Sequence, residues 1–399
     1  MPLRVAALML PALAPLVWAC GASAAPGSAH DALARAIYAE LVALPTTSRT
    51  GTTAAVEALA ARFRAAGFDD DDVLVVGPTP EKQNLVVRLR GTGDAPAVGY
   101  LAHLDVVEAL PEAWTVEPYA LTERDGWFYG RGTLDMKNGA AALAATLLRL
   151  RREGFVPRGD VVAAFTADEE NGGPENGVFW LLEQRRDLLD VAYVVNLDGA
   201  GILRERGEKP RLGIAVAEKT YATYAFTVTS PGGHSSRPGA DNAIYRLAAA
   251  LTRLERHAFP LRLNDGSRAM LEEAAGRADA RRARDLRALA AGRADEATVA
   301  RVSADPFMNA LLRTTCVATQ LQAGHAENAL PMRARATIQC RLAPGEDVAA
   351  MPAALAAVAA DPRVEVTVAF EPLVAPASPL EPAVLAAARR VGGELGPGP

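Results

Sequence analysis

Histidine and carboxylate side chains recur along this chain at the ends of short apolar runs. His103 and Asp105 follow the run 97–102, Glu169 and Glu170 close the run 161–167, Asp198 follows 191–196, and Asp135 lies between the first two groups. Imidazole and carboxylate oxygens with no cysteine nearby suit zinc, and also manganese or cobalt. Two adjacent glutamates at the end of an apolar strand repel each other unless something positive sits there. A pair of divalent ions ~3.5–4 Å apart needs a carboxylate to bridge them and an acid or base to work on the water between them. Asp135 and Glu169 are available for those two tasks, so the chemistry this pattern suits is hydrolysis by metal-activated water.

Such residues must be brought together by the elements that carry them. The apolar runs are short and rich in Val, Ala and aromatics, which reads as buried strands. They alternate with helical patterns at 31–43, 53–66 and 138–153. That order predicts an α/β domain over 32–213, a helix-covered, mostly parallel sheet. In such sheets ligands bind beyond the carboxyl ends of the strands, where polar groups distant in sequence converge. Past Ile214 the order changes to a strand at 221–230, a helix at 242–257, strands at 314–322 and 332–342, a helix at 347–360 and a strand at 364–370. Strand, helix, strand, strand, helix, strand describes a ferredoxin-like α+β unit over 214–372. A charged helical insertion interrupts it near 260–310, and the first domain is expected to resume over 373–399 with a helix at 382–391.

Composition narrows the partners. Half of the residues are hydrophobic and the formal charge is −5, which points to no nucleic acid and no anionic membrane surface. The Arg-rich stretch 268–301 has Glu and Asp interleaved and a helical Ala and Leu content, and the acidic run 69–72 reads as a solvated turn. Arg4, the apolar stretch Val5 to Trp18 and Ala22-Ser23-Ala24 form a secretory signal peptide over 1–24. Its core is too short to span a bilayer, and the bulky Trp18 weakens a lipoprotein reading at Cys20. The expected location is therefore periplasmic or secreted. Cys316 and Cys340 are too few to staple a domain and are expected as two buried thiols.

Six segments in order carry a resemblance: HLDVV at 103–107, GRGTLDMKNG at 130–139, TADEE at 166–170, NLDGAG at 196–201, GGHSSRP at 232–238 and ENALP at 327–331. From Ala32 onward the chain resembles the two-zinc aminoacylase and carboxypeptidase metallopeptidases, which include carboxypeptidase G, carboxypeptidase S, carnosinases and succinyl-diaminopimelate desuccinylase. The resemblance implies two zinc ions: His103 and Asp198 on one, Glu170 on the other, and Asp135 bridging both. It implies Glu169 as general base, with Asp105 orienting the His103 imidazole. It makes the ferredoxin-like unit an inserted lid and homodimerisation domain. From that lid His234 would cross to the partner's site to stabilise the tetrahedral oxyanion, while Arg341 and Asn328 bind the substrate.

The sequence departs from the family at one point. The family's second zinc takes a histidine close to the C-terminus, whereas the histidines here are His30, His103, His234, His257 and His325. The expectation is a C-terminally truncated chain that lacks this ligand and the last elements of its catalytic sheet. The function expected of the complete protein is an exported zinc peptidase or amidohydrolase acting on a small peptide or N-acyl amino acid. The alternative is a non-catalytic metal-binding relative that works through its lid, and Glu169 discriminates, because a protein that only binds metal has no need of a free carboxylate beside Glu170.

Overall fold

In the computed structural model, residues 28–198, 201–203, 211–370, 372 and 374–394 are described. The signal peptide expected at 1–24, with Cys20, and the last five residues lie outside the described residues. The chain divides into two compact units, 1–199 and 200–399.

In the first unit the expected strands form at Val98–His103, Val161–Thr166 and Tyr193–Asn196. They are parallel neighbours, with His103 opposite Thr166 and Leu101 opposite Asn196. Their carboxyl ends therefore lie along one margin of the sheet, which is the placement the site needs. Two further strands, Val73–Val76 and Asn84–Leu89, complete the order 73–76, 84–89, 161–166, 98–103, 193–196. The strand Asn84–Leu89 runs antiparallel to both of its neighbours, so the other four point the same way. Helices Ala29–Ala43, Thr53–Ala65 and Lys137–Arg152 cover one face, burying Ile37, Leu41, Leu59, Phe63, Ala144 and Leu147 against Leu85, Val87 and Phe165. Val86, Val162 and Ala164 point to the opposite face and pack with Leu181 of the helix Gly177–Gln184. A strand buried on both faces has no polar side to alternate, which is why its sequence reads as a continuous apolar run.

The second unit holds a four-stranded antiparallel sheet in the order Thr315–Ala323, Arg333–Leu342, Thr220–Thr229, Val364–Phe370. With helices Ala243–Arg256 and Met351–Ala359 on one face, this is the ferredoxin-like arrangement that the element order implies. The charged stretch forms helices Asp265–Arg277, Ala280–Ala290, Glu296–Ser303 and Pro306–Leu312 around a small core of its own, including Leu271, Leu286 and Leu312.

The division falls at 199/200, ahead of 213/214, because Ile202–Leu203 pairs with Arg211–Leu212 within the second unit. The helix Pro382–Glu394, expected with the first domain, belongs to the second unit, where it packs on Arg211–Leu212 and Ser378 N–H donates to the Val216 carbonyl. The cysteines are corrected: Cys316 and Cys340 are joined as a disulfide. They are direct partners in the antiparallel ladder, with Cα atoms 4.1 Å apart, a proximity that comes from strand register and not from local sequence. A bridge across a 24-residue separation stabilises the fold by about 3 kcal/mol, chiefly by restricting the unfolded chain. The Cys316→Ala/Cys340→Ala variant is therefore expected to unfold several degrees lower in a calorimetric scan, and an unchanged midpoint would remove this role.

Candidate metal centre

The strand Val98–His103 ends by aiming His103 into the margin shared with its parallel neighbours. The ring is almost fully buried. Its Nδ1 lies 3.1 Å from the Asp105 carbonyl and 3.6 Å from the Asp105 Oδ1. The Asp105 carbonyl accepts from Nδ1–H, which turns Nε2 to the other side, where its N–H donates to a carboxylate and its lone pair can serve a metal once that proton leaves. There Nε2 meets Asp135 Oδ1 at 2.9 Å and Asp198 Oδ2 at 3.8 Å. Ligand atoms of His103, Asp135 and Asp198 all lie within 4.8 Å of one another, the one such group among the described residues.

Each member of the group is placed by its own local device. Thr46 brackets the turn after His103, its hydroxyl donating to the Leu104 carbonyl and its carbonyl accepting from Val106 N–H. Asp135 precedes the helix Lys137–Arg152. Lys137 is fully buried, and its ammonium donates to the carbonyls of Leu41 and Leu44 at 2.9 and 2.6 Å. It thereby gives a second donor to each of two carbonyls at the end of the helix Ala29–Ala43, which also accept from Leu44 and Thr46 N–H. Burial pulls Lys137 down to about 7, with Asp105 opposing the fall. Asp198 is fixed by an Asx turn in which its N–H donates to Asn196 Oδ1.

Glu169 and Glu170 stand on the exposed rim of this group. Asp105 Oδ2 accepts from Glu170 N–H at 3.0 Å, so Asp105 ties the glutamate loop to the His103 strand. The resemblance gave Asp105 a single task, orienting His103; here its backbone carbonyl lies nearer the imidazole and its carboxylate reaches the loop. Partial burial is the leading cause that lifts Glu169 above the usual glutamate range; Asp105, Asp198 and Glu170 act the same way, against His103. Glu170 is raised by partial burial and by Asp135. Burial disfavours charge on His103, but Asp105, Glu169 and Asp135 outweigh it and push the imidazole up to about 9. Carboxylates that lift one another around a single imidazole make a site that favours a cation, and the donor set fits a divalent metal. Glu170 lies outside the three-residue group, which holds His103, Asp198 and Asp135.

The second unit carries the other expected residues. Gly232 and Gly233, with φ of 75° and 140°, bend the chain ahead of His234. His234 pairs with Ala329, and Ser235 N–H donates to the Asn328 carbonyl, so His234 and Asn328 are brought together. Ser236 N–H donates to His234 Nδ1, which leaves Nε2 as the protonated nitrogen of the neutral ring. Arg341 is exposed and its guanidinium stacks over Tyr221, 4.8 Å from the ring centroid.

Sequence reasoning missed several residues that hold this site. Lys137 follows Asp135 by two positions inside GRGTLDMKNG, and a lysine at the start of an Ala- and Leu-rich helix was the available signal. Asp168, inside TADEE, was assigned no role, yet it is buried at φ 61° and pairs with Lys82. Nothing local marks Lys82.

Residues 99–398 match peptidase family M20/M25/M40. The human N-fatty-acyl-amino acid synthase/hydrolase PM20D1 is 34% identical over 252 residues, 62% of this chain and 49% of that protein. The chain thus spans about half the length of the curated relatives it matches. Among solved structures, the metallo-carboxypeptidase Sso-CP2 of Sulfolobus solfataricus superposes with a TM-score of 0.64 at 19% identity, covering 91% of this chain and 84% of that one. The dinuclear metal-binding peptidase YxeP of Bacillus subtilis gives 0.53 at 15% identity, over 91% and 78%. With three quarters of its length matched and a His–Asp–Asp group at the margin of a parallel sheet, the chain belongs to peptidase family M20/M25/M40.

Proposed function

We propose that this protein is a two-zinc hydrolase that cleaves the amide bond of a small peptide or an N-acyl amino acid, exported through the leader read at 1–24. The observation that carries the reading is the convergence of His103, Asp135 and Asp198 beside the Glu169 loop. His103 and Asp198 would hold one ion, Glu170 the other, with Asp135 between them; manganese or cobalt could take the same donors. A bound divalent ion supplies a more acidic water and a Lewis acid for the amide carbonyl. Glu169 takes the proton of the attacking water and delivers it to the leaving nitrogen, a task helped by a carboxyl lifted toward neutrality. The ferredoxin-like unit acts as lid and dimerisation surface, with His234 of a second copy donating from Nε2 to the oxyanion. Asn328 and Arg341 hold the substrate, Arg341 pairing with its carboxylate. The activity named for the human relative, an N-fatty-acyl-amino acid synthase/hydrolase, supports this substrate class.

The test is metal content by plasma mass spectrometry with a panel of dipeptides and N-acyl amino acids, on this chain and on a form extended to the length of those relatives. Two equivalents of zinc and hydrolysis in at least one form are expected. Bound zinc with no hydrolysis in either would replace this reading with that of a metal-binding relative.

A further inference from the structure

Between the strand Val161–Thr166 and the helix Gly177–Gln184, the chain must hold the two rim glutamates steady without regular structure of its own. Backbone contacts fix both ends of this loop: Gly177 N–H donates to the Ala167 carbonyl, and Ala167 N–H donates to Asn84 Oδ1. The critical bend is at Asp168, a non-glycine residue at φ 61°, in the left-handed region that L-residues seldom adopt. Aspartate tolerates that region when its side chain is engaged locally. Asp168 is buried, and its carboxylate accepts from Asn171 Nδ2 at 2.7 Å and from Lys82 Nζ at 2.9 Å. The same ammonium reaches Glu175 Oε2 at 2.7 Å, so one lysine spans both ends of a loop that carries Asp168, Glu169, Glu170 and Glu175. The lysine comes from a different part of the first unit, ahead of the strand Asn84–Leu89, and its side chain is largely enclosed.

We propose that Lys82 is a positioning residue for Glu169 and Glu170: by pinning Asp168 and Glu175 it fixes the left-handed turn from which the two glutamates reach the metal group. Asp105 holds the loop from the opposite side through Glu170 N–H. Without Lys82, four carboxylates within eight residues lose a shared cation and the turn loses the contact that makes its backbone conformation favourable. The consequence for hydrolysis rests on the function proposed above; the consequence for loop order does not.

The experiment is amide hydrogen exchange of the loop in the wild-type protein and in Lys82→Met, with Asp168→Asn as a near-isosteric second variant should the first fold poorly. Exchange at 168–173 is expected to accelerate about tenfold or more while the strand Val98–His103 keeps its protection, since a local opening costs less than unfolding the unit. With substrate, kcat is expected to fall about tenfold or more at unchanged KM, because a misplaced base affects the reacting geometry and not the binding. Lys82→Arg should recover most of both effects. Unchanged loop exchange overturns the proposal, and so does acceleration spread evenly over the first unit, which would mark Lys82 as a general stabiliser. A loosened loop in a protein that hydrolyses nothing would leave the positioning role standing and defeat the proposed function. A rigid loop in an active Lys82→Met enzyme would do the reverse.

Discussion

Glu169→Gln is expected to retain its metal and to lose about 10²–10⁴-fold in kcat, the span that a positioned general acid–base contributes. Glutamine keeps the size and hydrogen-bonding reach of the side chain but cannot accept the proton of the attacking water. The environment sharpens the expectation. Partial burial and three neighbouring carboxylates lift Glu169 above the usual glutamate range, so the protein's own groups favour its taking a proton. The amide replacement removes one negative charge but none of the proposed ligands, so metal affinity should fall only modestly. Steady-state kinetics with metal analysis on the same sample checks both halves. A variant as active as the parent would take the base role from Glu169, and a variant without metal would make the residue a ligand.

Asp135→Ala attacks the centre from a different side and should be more damaging. Asp135 Oδ1 lies 2.9 Å from His103 Nε2, on the side where that nitrogen also meets Asp198, and the proposed bridge contributes to both ions. Removing it should strip metal from the protein and reduce hydrolysis about a thousandfold or more, because the Lewis acid and the acidified water are lost together. Most of the Asp135 side chain is exposed and the residue packs little core, so thermal stability without metal should stay near that of the parent. Metal content by mass spectrometry decides: two equivalents retained would sink the bridging role. These two variants separate chemistry from metal binding, one keeping the ions without turnover and the other losing both.

Much of the fold was readable because the polar groups sit immediately after apolar strands. His103, Glu169, Glu170 and Asp198 each follow a run whose parallel pairing puts the ends together, so sequence position translated directly into spatial position. The ferredoxin-like unit was legible from element order alone. What escaped depended on contacts between segments that carry no mark of each other. Cys316 and Cys340 pair because of ladder register, which two strand-like patterns do not specify. Lys82 and Asp168 meet across 86 positions, and a lysine among Glu81, Gln83 and Asn84 looks like any solvated residue.

The strand Thr315–Ala323 forms one margin of the second unit's sheet, and most of it is exposed, with Val317 and Leu321 turned outward. Among the described residues its outer edge carries no partner strand, and such an edge is a template that any extended chain can join, including another copy of itself. Its ladder is interrupted by a register shift between Ala318 and Gln320, and such a bulge bends the strand and increases its twist. A straight incoming strand can match one half of this margin or the other, but not its whole length. The irregularity therefore denies fibrils the flat, continuous edge along which they grow.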